Sequence, residues 1–428
     1  MAIPISLGSL SPREARIIGL AFAVKTVVAA AMLLFFFLQP DSAPIDNLWN
    51  RWYTGVENLS AWYLPFANWD GQHYLLLADR GYAVYRTTGS QAFYPLYPML
   101  IGALSVVLPP WIAALSLNYL FTAGFCVFVY RIALHLQCPK PHLAVLLLLT
   151  FPSAFFTSAI YSESLFLLLQ LGFLYHLLVS RSYAVLLYAF LMPLTRGTGI
   201  FIAGGLLLYI AVGYAQALYR AQREKWRRKA QGQSKRGRSH LRRRLPPAPP
   251  PPPPEPFDWR YPAYCFAAFF AGGVAYLLFM WAFTGDALSG LAGQSRFVAE
   301  NSILNLLNPY IFLDHLLTDP NGVFTVKNSV YDRSYMVLFV TGILVFIYRR
   351  EWSLLCFYFP VVYTHTFMNV SLTSYSRYML VAAPLLVLAG LKSRPSPRPP
   401  YAGYALCAAC FALQLYMAGR YSLNLWAG

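Results

Sequence analysis

The chain has little charge for its length. Asp, Glu, Lys and Arg make up only 11% of its 428 residues, against about 25% in ordinary soluble domains, and 58% are hydrophobic. This scarcity excludes a soluble globular protein. Apolar runs near the roughly 20-residue length that crosses a bilayer recur from Ile17 almost to the end. They lack the alternation of barrel strands, so they predict an all-α, polytopic membrane helical bundle.

Cysteine is also scarce, and its spacing carries no chemistry. The six cysteines lie mostly in or beside apolar runs, without the spacing of a disulfide framework or a metal site. The chain has no glycine-rich phosphate loop and no HExxH motif. We therefore expect neither a metal nor an organic cofactor.

Eleven apolar segments are predicted to cross the membrane. Residues 1–219 are expected to form an N-terminal transmembrane module with a large outer loop over 39–98, and residues 258–428 a C-terminal transmembrane module. Lys25, inside the first crossing, is expected to reach back to the cytoplasmic surface. The predicted crossings are 17–38, 111–134, 143–158, 165–178, 183–193, 199–214, 263–283, 334–348, 353–370, 378–391 and 401–418.

The two modules are joined by a basic and proline-rich loop over 220–257. Its first part, 220–244, contains twelve Lys and Arg and one Glu, and 246–256 contains nine prolines. This composition predicts a flexible tether and a polyproline spacer. Nucleic-acid binding needs aromatic side chains among the basic ones, and Trp226 is the only one, so contact with anionic membrane lipids is favoured over nucleic acid.

The same loop predicts the orientation of the chain. The positive-inside rule places it in the cytoplasm. Eleven crossings then put Asp70, Glu163, Arg196 and the loop 284–333 together on the non-cytoplasmic face. This shared face is the strongest topological argument for a site.

The stretch NWDGQHYLLLADRGY, residues 68–82, places a carboxylate at that face. It lies in the loop that carries four of the ten tryptophans, whose density predicts two juxtamembrane helices. Asp70 stands at a natural N-cap and Gly81 at the helix end, so capping is the alternative to a catalytic role. His73, one turn on, either shares the face of Asp70 or is a hydrogen-bonded packing residue.

Three further charged residues are candidates for binding an anion. Glu163 begins a helix, where it is either a dipole partner or a binding group. Arg196, in LTRGTG, is costly beside a membrane unless it pairs with a phosphate or with a carboxylate such as Glu163. Arg377, in SYSRY, also enters a helix from the outer face. Two fixed arginines are what a lipid phosphate requires.

Six motifs together resemble one family. The WD of NWDGQHY, the GY after its helix, AFYPLYP at 92–98, YSES at 161–164, LTRGTG and SYSRY are similar to the PIG-V family, which comprises GPI mannosyltransferase 2 and its prokaryotic relatives within the GT-C membrane glycosyltransferases. The resemblance implies a GT-C bundle with its active site in the first large outer loop. It also implies a polyprenyl-phosphate sugar donor, typically dolichyl-phosphate mannose. The basic and proline-rich loop departs from the family pattern and leaves the acceptor open.

The resemblance and the residues together give a predicted site. Asp70 is expected to be the general base of an inverting transfer to a lipid-linked or other acceptor. The expected membrane is the plasma membrane of a prokaryote, or the endoplasmic reticulum of a eukaryote. A lipid or polyisoprenoid-glycan transporter and a non-catalytic membrane subunit are the alternatives, and a small membrane subunit is a further candidate partner. The predicted substrate-binding residues are Trp69, His73, Tyr94, Glu163, Arg196, Arg377 and Tyr378.

The charge pattern predicts that 220–256 is cytoplasmic and dispensable for chemistry. Replacing it with a Gly/Ser linker of equal length should leave sugar transfer unchanged, because a solvated tether touches no substrate. A protease added from the cytoplasmic side should cut the natural loop. Cutting only from the opposite side, or loss of turnover with the linker, would refute the prediction.

Overall fold

A computed structural model describes residues 10–38, 61–82, 89–236, 258–294, 302–392 and 401–428. These described residues form α-helices and short turns, and their only β pairing is one isolated bridge between Gly322 and Ser329. The prediction of an all-α membrane bundle is confirmed.

The helices that the structure describes are numbered in chain order. They are α1 (Pro12–Phe37), α2 (Asp70–Arg80), α3 (Leu96–Leu104), α4 (Pro110–His135), α5 (Pro141–Leu149), α6 (Glu163–Tyr175), α7 (Ala184–Leu191), α8 (Thr198–Arg236), α9 (Arg260–Thr284), α10 (Ser289–Gln294), α11 (Tyr310–Leu317), α12 (Val330–Arg349), α13 (Trp352–Met368), α14 (Tyr375–Tyr378), α15 (Ala383–Leu391) and α16 (Tyr401–Ser422). Shorter 3₁₀ turns lie at Ala61–Phe66, Ser90–Ala92, Pro152–Thr157, Ile303–Leu307 and Met379–Val381.

Seven of the described helices are long and apolar enough to cross a membrane. They are α1, α4, α6 with its continuation to Ser180, α8 as far as Trp226, α9, α12 and α16. The other four predicted crossings coincide with shorter or interrupted segments: α5 and the turn after it, α7, α13 and the group α14 to α15. The total of eleven crossings therefore stays a prediction.

Proline accounts for two of the interruptions. The apolar run 143–158 stops being α-helical after Leu149, because Pro152 has no N–H to donate and restricts Phe151 before it. Pro384 similarly begins a new helix inside the predicted crossing 378–391. Hydropathy counts apolar residues and does not register these breaks.

Helix α1 is fixed to the bundle at its first turn. Ser11 and Glu14 form a reciprocal capping box, with the N–H of Ser11 donating to Glu14 Oε2 at 2.8 Å. The other oxygen of Glu14 accepts from Arg131 Nε at 2.6 Å, which joins α1 to α4. Helix α1 also packs against α16, so the first and last helices are neighbours.

Lys25 does not reach the cytoplasmic surface, and that prediction is wrong. Its side chain is 2% exposed. The ammonium donates to the carbonyl of Thr157, lies 3.5 Å from Ser158 Oγ, and sits 5.1 Å from the ring centre of Tyr119. The 3₁₀ turn Pro152–Thr157 supplies this carbonyl inside the bundle. The ammonium group of Lys25 therefore binds the turn and does not extend to the membrane surface.

The predicted outer loop and basic loop are described only in part. Within 39–98, residues 39–60 and 83–88 lie outside the described residues, and the described part contains the turn Ala61–Phe66, α2, the turn Ser90–Ala92 and the start of α3. Helix α8 continues to Arg236, so the predicted flexible tether does not begin at 220. Ala, Gln, Glu, Lys and Arg, which dominate 220–231, are all strong helix formers. The proline run 246–256 lies outside the described residues.

The crossing of α9 with α7 depends on one glycine. A Cβ added at Gly272 would overlap the carbonyl oxygen of Phe190, whereas no atom lies within 4 Å of a Cβ added at the neighbouring Gly273. The two positions therefore share a helix but differ in packing.

Gly272→Ala should lower the melting temperature of the purified protein, and Gly273→Ala should not. Both changes gain the roughly 1 kcal/mol of helix propensity that Ala has over Gly. Only Gly272→Ala must separate α7 from α9, an overpacking that costs about 1–3 kcal/mol or more. Equal melting temperatures for the two variants would show that the helices do not cross as closely as the structure has them.

Candidate functional site

The site is organised around the sharp turn that leads into α2. Trp69 has φ 53° and ψ −120°, a conformation that costs a non-glycine residue on the order of 1–3 kcal/mol. A Cβ at Gly71 would lie 3.3 Å from the carbonyl oxygen of Ile160 and 3.4 Å from that of Phe66, so the start of α2 packs closely on both segments. The N-cap is Trp69, and Asp70 is the first helical residue. The capping role that the sequence suggested for Asp70 is therefore wrong.

The backbone around Asp70 is held by residues distant in sequence. The N–H of Asp70 donates to the hydroxyl of Tyr161 at 3.2 Å. The side-chain amide of Asn68 donates to the carbonyls of Tyr421 and Ser422 at 2.7 and 3.2 Å, while the Tyr421 hydroxyl donates to the Asn68 carbonyl at 2.8 Å. The end of α16 thus fixes the segment that presents the carboxylate.

Four of the predicted site residues form one chain of ion pairs. Asp70 Oδ2 lies 2.7 Å from Arg377 Nη1, and Arg377 Nε lies 3.1 Å from Glu163 Oε1. The same Glu163 oxygen also pairs with Arg196 Nη1. The order is Asp70, Arg377, Glu163, Arg196, with two carboxylates and two guanidinium groups. The bridge to Glu163 that the sequence left open for Arg196 is present.

Burial differs sharply along this chain of ion pairs. The Glu163 side chain is 1% exposed, that of Arg377 12%, and that of Asp70 23%. Burial on its own would lower the pKa of Arg377, but Asp70 and then Glu163 outweigh it and raise that pKa well above its ordinary value. Glu163 likewise raises the pKa of Arg196 against the effect of burial. Both arginines therefore remain cationic.

Aromatic rings surround the two guanidinium groups. The Arg377 guanidinium lies 5.1 Å from the ring centre of Tyr161, 5.6 Å from Phe156 and 5.4 Å from Tyr378. The guanidinium of Arg196 lies 5.7 Å from the centre of the same Tyr378 ring, which therefore contacts both arginines. Such contacts attract cations and exclude water, which strengthens every charge interaction inside them.

Arg377 is positioned by a short strained segment and a buried acid. Leu372 and Ser374 have φ of 49° and 56°, in the left-handed region that non-glycine residues rarely adopt. Asp332, fully buried at the start of α12, accepts from the N–H of Ser376 at 2.8 Å and from the Ser329 hydroxyl at 2.7 Å. Asp332 thereby anchors the turn that carries Arg377.

The other predicted binding residues are held in packing and hydrogen-bond contacts with neighbouring side chains. Trp69 makes an edge contact with Trp426, with ring centres 5.3 Å apart. His73 Nδ1 lies 2.8 Å from Ser90 Oγ, its ring stacks on Phe93 at 4.5 Å, and burial lowers its pKa to about 4, so it is neutral at pH 7.

Tyr94 is held in the same way. Its ring stacks on Tyr276 at 4.7 Å, its hydroxyl accepts from Gln294 Nε2 at 3.5 Å, and burial raises its pKa to about 12. Tyr378 stacks on His365 at 4.8 Å. Direct contact of Trp69, His73, Tyr94 and Tyr378 with a substrate stays a prediction. Among the described residues, no three His, Cys, Asp or Glu side chains are grouped to hold a metal ion.

Sequence reasoning missed several residues of the site. Tyr161 is the first residue of the YSES motif, and that motif was the sequence signal that could have identified it as a site residue. Asn68 likewise stood within the NWDGQHY motif, whereas Asp332, Tyr421 and Trp426 gave no signal, because their roles depend on contacts between segments far apart in the chain.

Comparison with known proteins agrees with the sequence motifs over about half of the chain. The family model described as Mannosyltransferase (PIG-V) matches residues 23–231. GPI alpha-1,6-mannosyltransferase 2 of Homo sapiens is 31% identical over 166 residues, 36% of this chain and 33% of that protein. The protein of the same name from Cricetulus griseus is 26% identical over 236 residues, 49% and 45% of the two chains.

The chain thus spans about half the length, or less, of the curated relatives that it matches. The matched residues include Asp70, Glu163 and Arg196, and Arg377 lies beyond them.

Glu163→Gln should destabilise the protein more than Glu14→Gln does. Each change breaks a largely buried ion pair, a loss on the order of 3–5 kcal/mol. Glu163 is shared by two arginines, so its loss leaves two close cations with only the carboxylate of Asp70, at the far side of Arg377, to offset them, whereas Glu14 pairs with Arg131. Thermal unfolding of both variants in the same detergent tests this. An equal or smaller fall for Glu163→Gln would mean that the arginines do not depend on Glu163.

Proposed function

Because residues 23–231 match the family model described as Mannosyltransferase (PIG-V), we propose that the chain is a member of that family and a membrane glycosyltransferase that moves mannose from a polyprenyl-phosphate donor to a lipid-linked acceptor. The observation that carries the proposal is the partly exposed carboxylate of Asp70, held 2.7 Å from a buried arginine. Such a transfer needs a carboxylate as the base for the acceptor hydroxyl and fixed cations that stabilise the departing phosphate.

The chemistry is a direct displacement. The donor's sugar is joined to a lipid phosphate, which is already a good leaving group. The acceptor hydroxyl attacks the anomeric carbon, the bond from that carbon to the phosphate oxygen breaks, and the hydroxyl proton passes to the base. Attack opposite to the leaving phosphate inverts the anomeric centre. The protein must supply the base and stabilise the departing phosphate.

Exposure supports Asp70 as the base. Asp70 and Glu163 are the two carboxylates in the chain of ion pairs, and the Glu163 side chain is almost fully buried. Asp70, at 23%, is the one that an acceptor hydroxyl can approach. Arg377 and Arg196 supply charge-assisted hydrogen bonds to the phosphate.

The charge distribution of the chain supports a reaction on the non-cytoplasmic face. With the basic loop in the cytoplasm, as the positive-inside rule predicts, the site of this multi-pass protein would lie on the opposite face, beside a donor and an acceptor that are both held in the membrane. We place the protein in the plasma membrane of a prokaryote. The relatives named GPI alpha-1,6-mannosyltransferase 2 support mannose as the sugar.

Asp70→Asn should leave the protein folded and reduce mannose transfer by roughly 10²- to 10⁴-fold, the usual contribution of a positioned acid or base. Transfer from radiolabelled polyprenyl-phosphate mannose to extracted lipids is measured on the preparation whose melting temperature is determined. Asp79→Asn, in the last turns of the same helix and with a 48% exposed side chain, is the matched control and should transfer normally.

An Asp70→Asn variant that folds and transfers near the natural rate would remove Asp70 from the mechanism. Wild-type protein that transfers no sugar from this donor but moves it across vesicle membranes would favour the transporter alternative.

A further inference from the structure

Arg377 has two carboxylate partners of different character. Glu163 pairs with its Nε and is 1% exposed, whereas Asp70 pairs with its Nη1 and is 23% exposed. Glu163 also holds Arg196, so it is fixed from two sides. The structure therefore gives Arg377 one permanent partner and one that solvent and substrate can reach.

The proposed function uses both members of the outer pair in other contacts. Asp70 Oδ2 lies 2.7 Å from Arg377 Nη1, so this oxygen is directed at the cation instead of at an incoming acceptor hydroxyl. A phosphate oxygen bound to Nη1 would approach the nitrogen that this carboxylate already contacts, so the two anions compete for it. In the structure the base and the phosphate-binding group thus engage each other.

We propose that the donor's phosphate displaces Asp70 from Arg377, so that donor binding both fills the phosphate position and releases the base. This inference rests on the proposed function. The exchange replaces one monoanion, a carboxylate, with another, a phosphodiester, at the same cation. Glu163 keeps the Nε of Arg377, so the guanidinium need not move while its outer nitrogen changes partner.

The surroundings suit an exchange of this kind. Phe156, Tyr161 and Tyr378 hold the guanidinium between rings, which makes an unpaired charge there costly and favours an anion at Nη1 at all times. Asp70 stands at the first residue of a helix, where its side chain can rotate away without breaking the helix. The order of binding follows: the donor enters first, and the acceptor meets a reactive base only afterwards.

The exchange makes a prediction opposite to that of a simple binding role for Asp70. Asp70→Asn removes the anion that competes with the donor, so the variant should bind the donor more tightly while transferring it more slowly. The expected gain is roughly tenfold in Kd, because a charge-assisted hydrogen bond is about twice as strong as the neutral one that Asn retains. Asp79→Asn should bind the donor as the natural protein does.

The experiment measures equilibrium binding of radiolabelled polyprenyl-phosphate mannose to full-length protein in detergent, without acceptor, for the natural chain and both variants. Asp70→Ser, which removes the carboxylate without adding an amide, repeats the test if Asn disturbs α2. Tighter donor binding with slow transfer supports the exchange. Slow transfer with unchanged or weaker donor binding overturns the exchange and leaves the proposed function standing. Fast transfer by the folded Asp70 variants overturns the proposed function itself.

Discussion

The carboxylate of Glu163 is the group on which the rest of the site depends. Two guanidinium groups that share a low-dielectric space repel each other, and one buried oxygen pairs with both. The segments carrying Arg196 and Arg377 are thereby brought to the first turn of α6. Rings from Phe156, Tyr161 and Tyr378 fill the space around them, and Asp70 completes the charge balance at the exposed end. The site is neutral as a whole although each member is charged.

Much of this arrangement could be predicted from single residues. Asp70, Glu163, Arg196 and Arg377 stand out because charge is rare in so apolar a chain, and the orientation rule places them at one face. Their pairing could not be predicted in the same way. The turn at Trp69 makes Asp70 the first residue of α2 and not its N-cap. No residue propensity predicts a positive φ for a tryptophan at this position. That is why the carboxylate meets Arg377 rather than the N–H groups of its own helix.

The remaining errors of the sequence predictions arise from helices that proline interrupts and from contacts between residues that are far apart in sequence. Hydropathy treats 143–158 as one crossing, whereas Pro152 replaces its second half with a 3₁₀ turn, and the carbonyl of Thr157 then holds Lys25 inside the bundle. The carboxylate of Asp332 accepts from the N–H of Ser376, 44 residues away in sequence, and the hydroxyl of Tyr421 donates to the carbonyl of Asn68, 353 residues away. Neither contact leaves a local pattern that a sequence can display.

The shared cluster also divides unevenly between the two halves of the chain. The part before the basic and proline-rich loop contributes Asp70, Glu163 and Arg196. These are two carboxylates and one guanidinium, so this part alone carries one negative charge in excess. The part after the loop contributes Arg377 alone. Each half on its own would bury an uncompensated charge, and their union cancels it. The loop is the covalent connection between the halves, and the two ion pairs of Arg377 are charge contacts that cross from one half to the other.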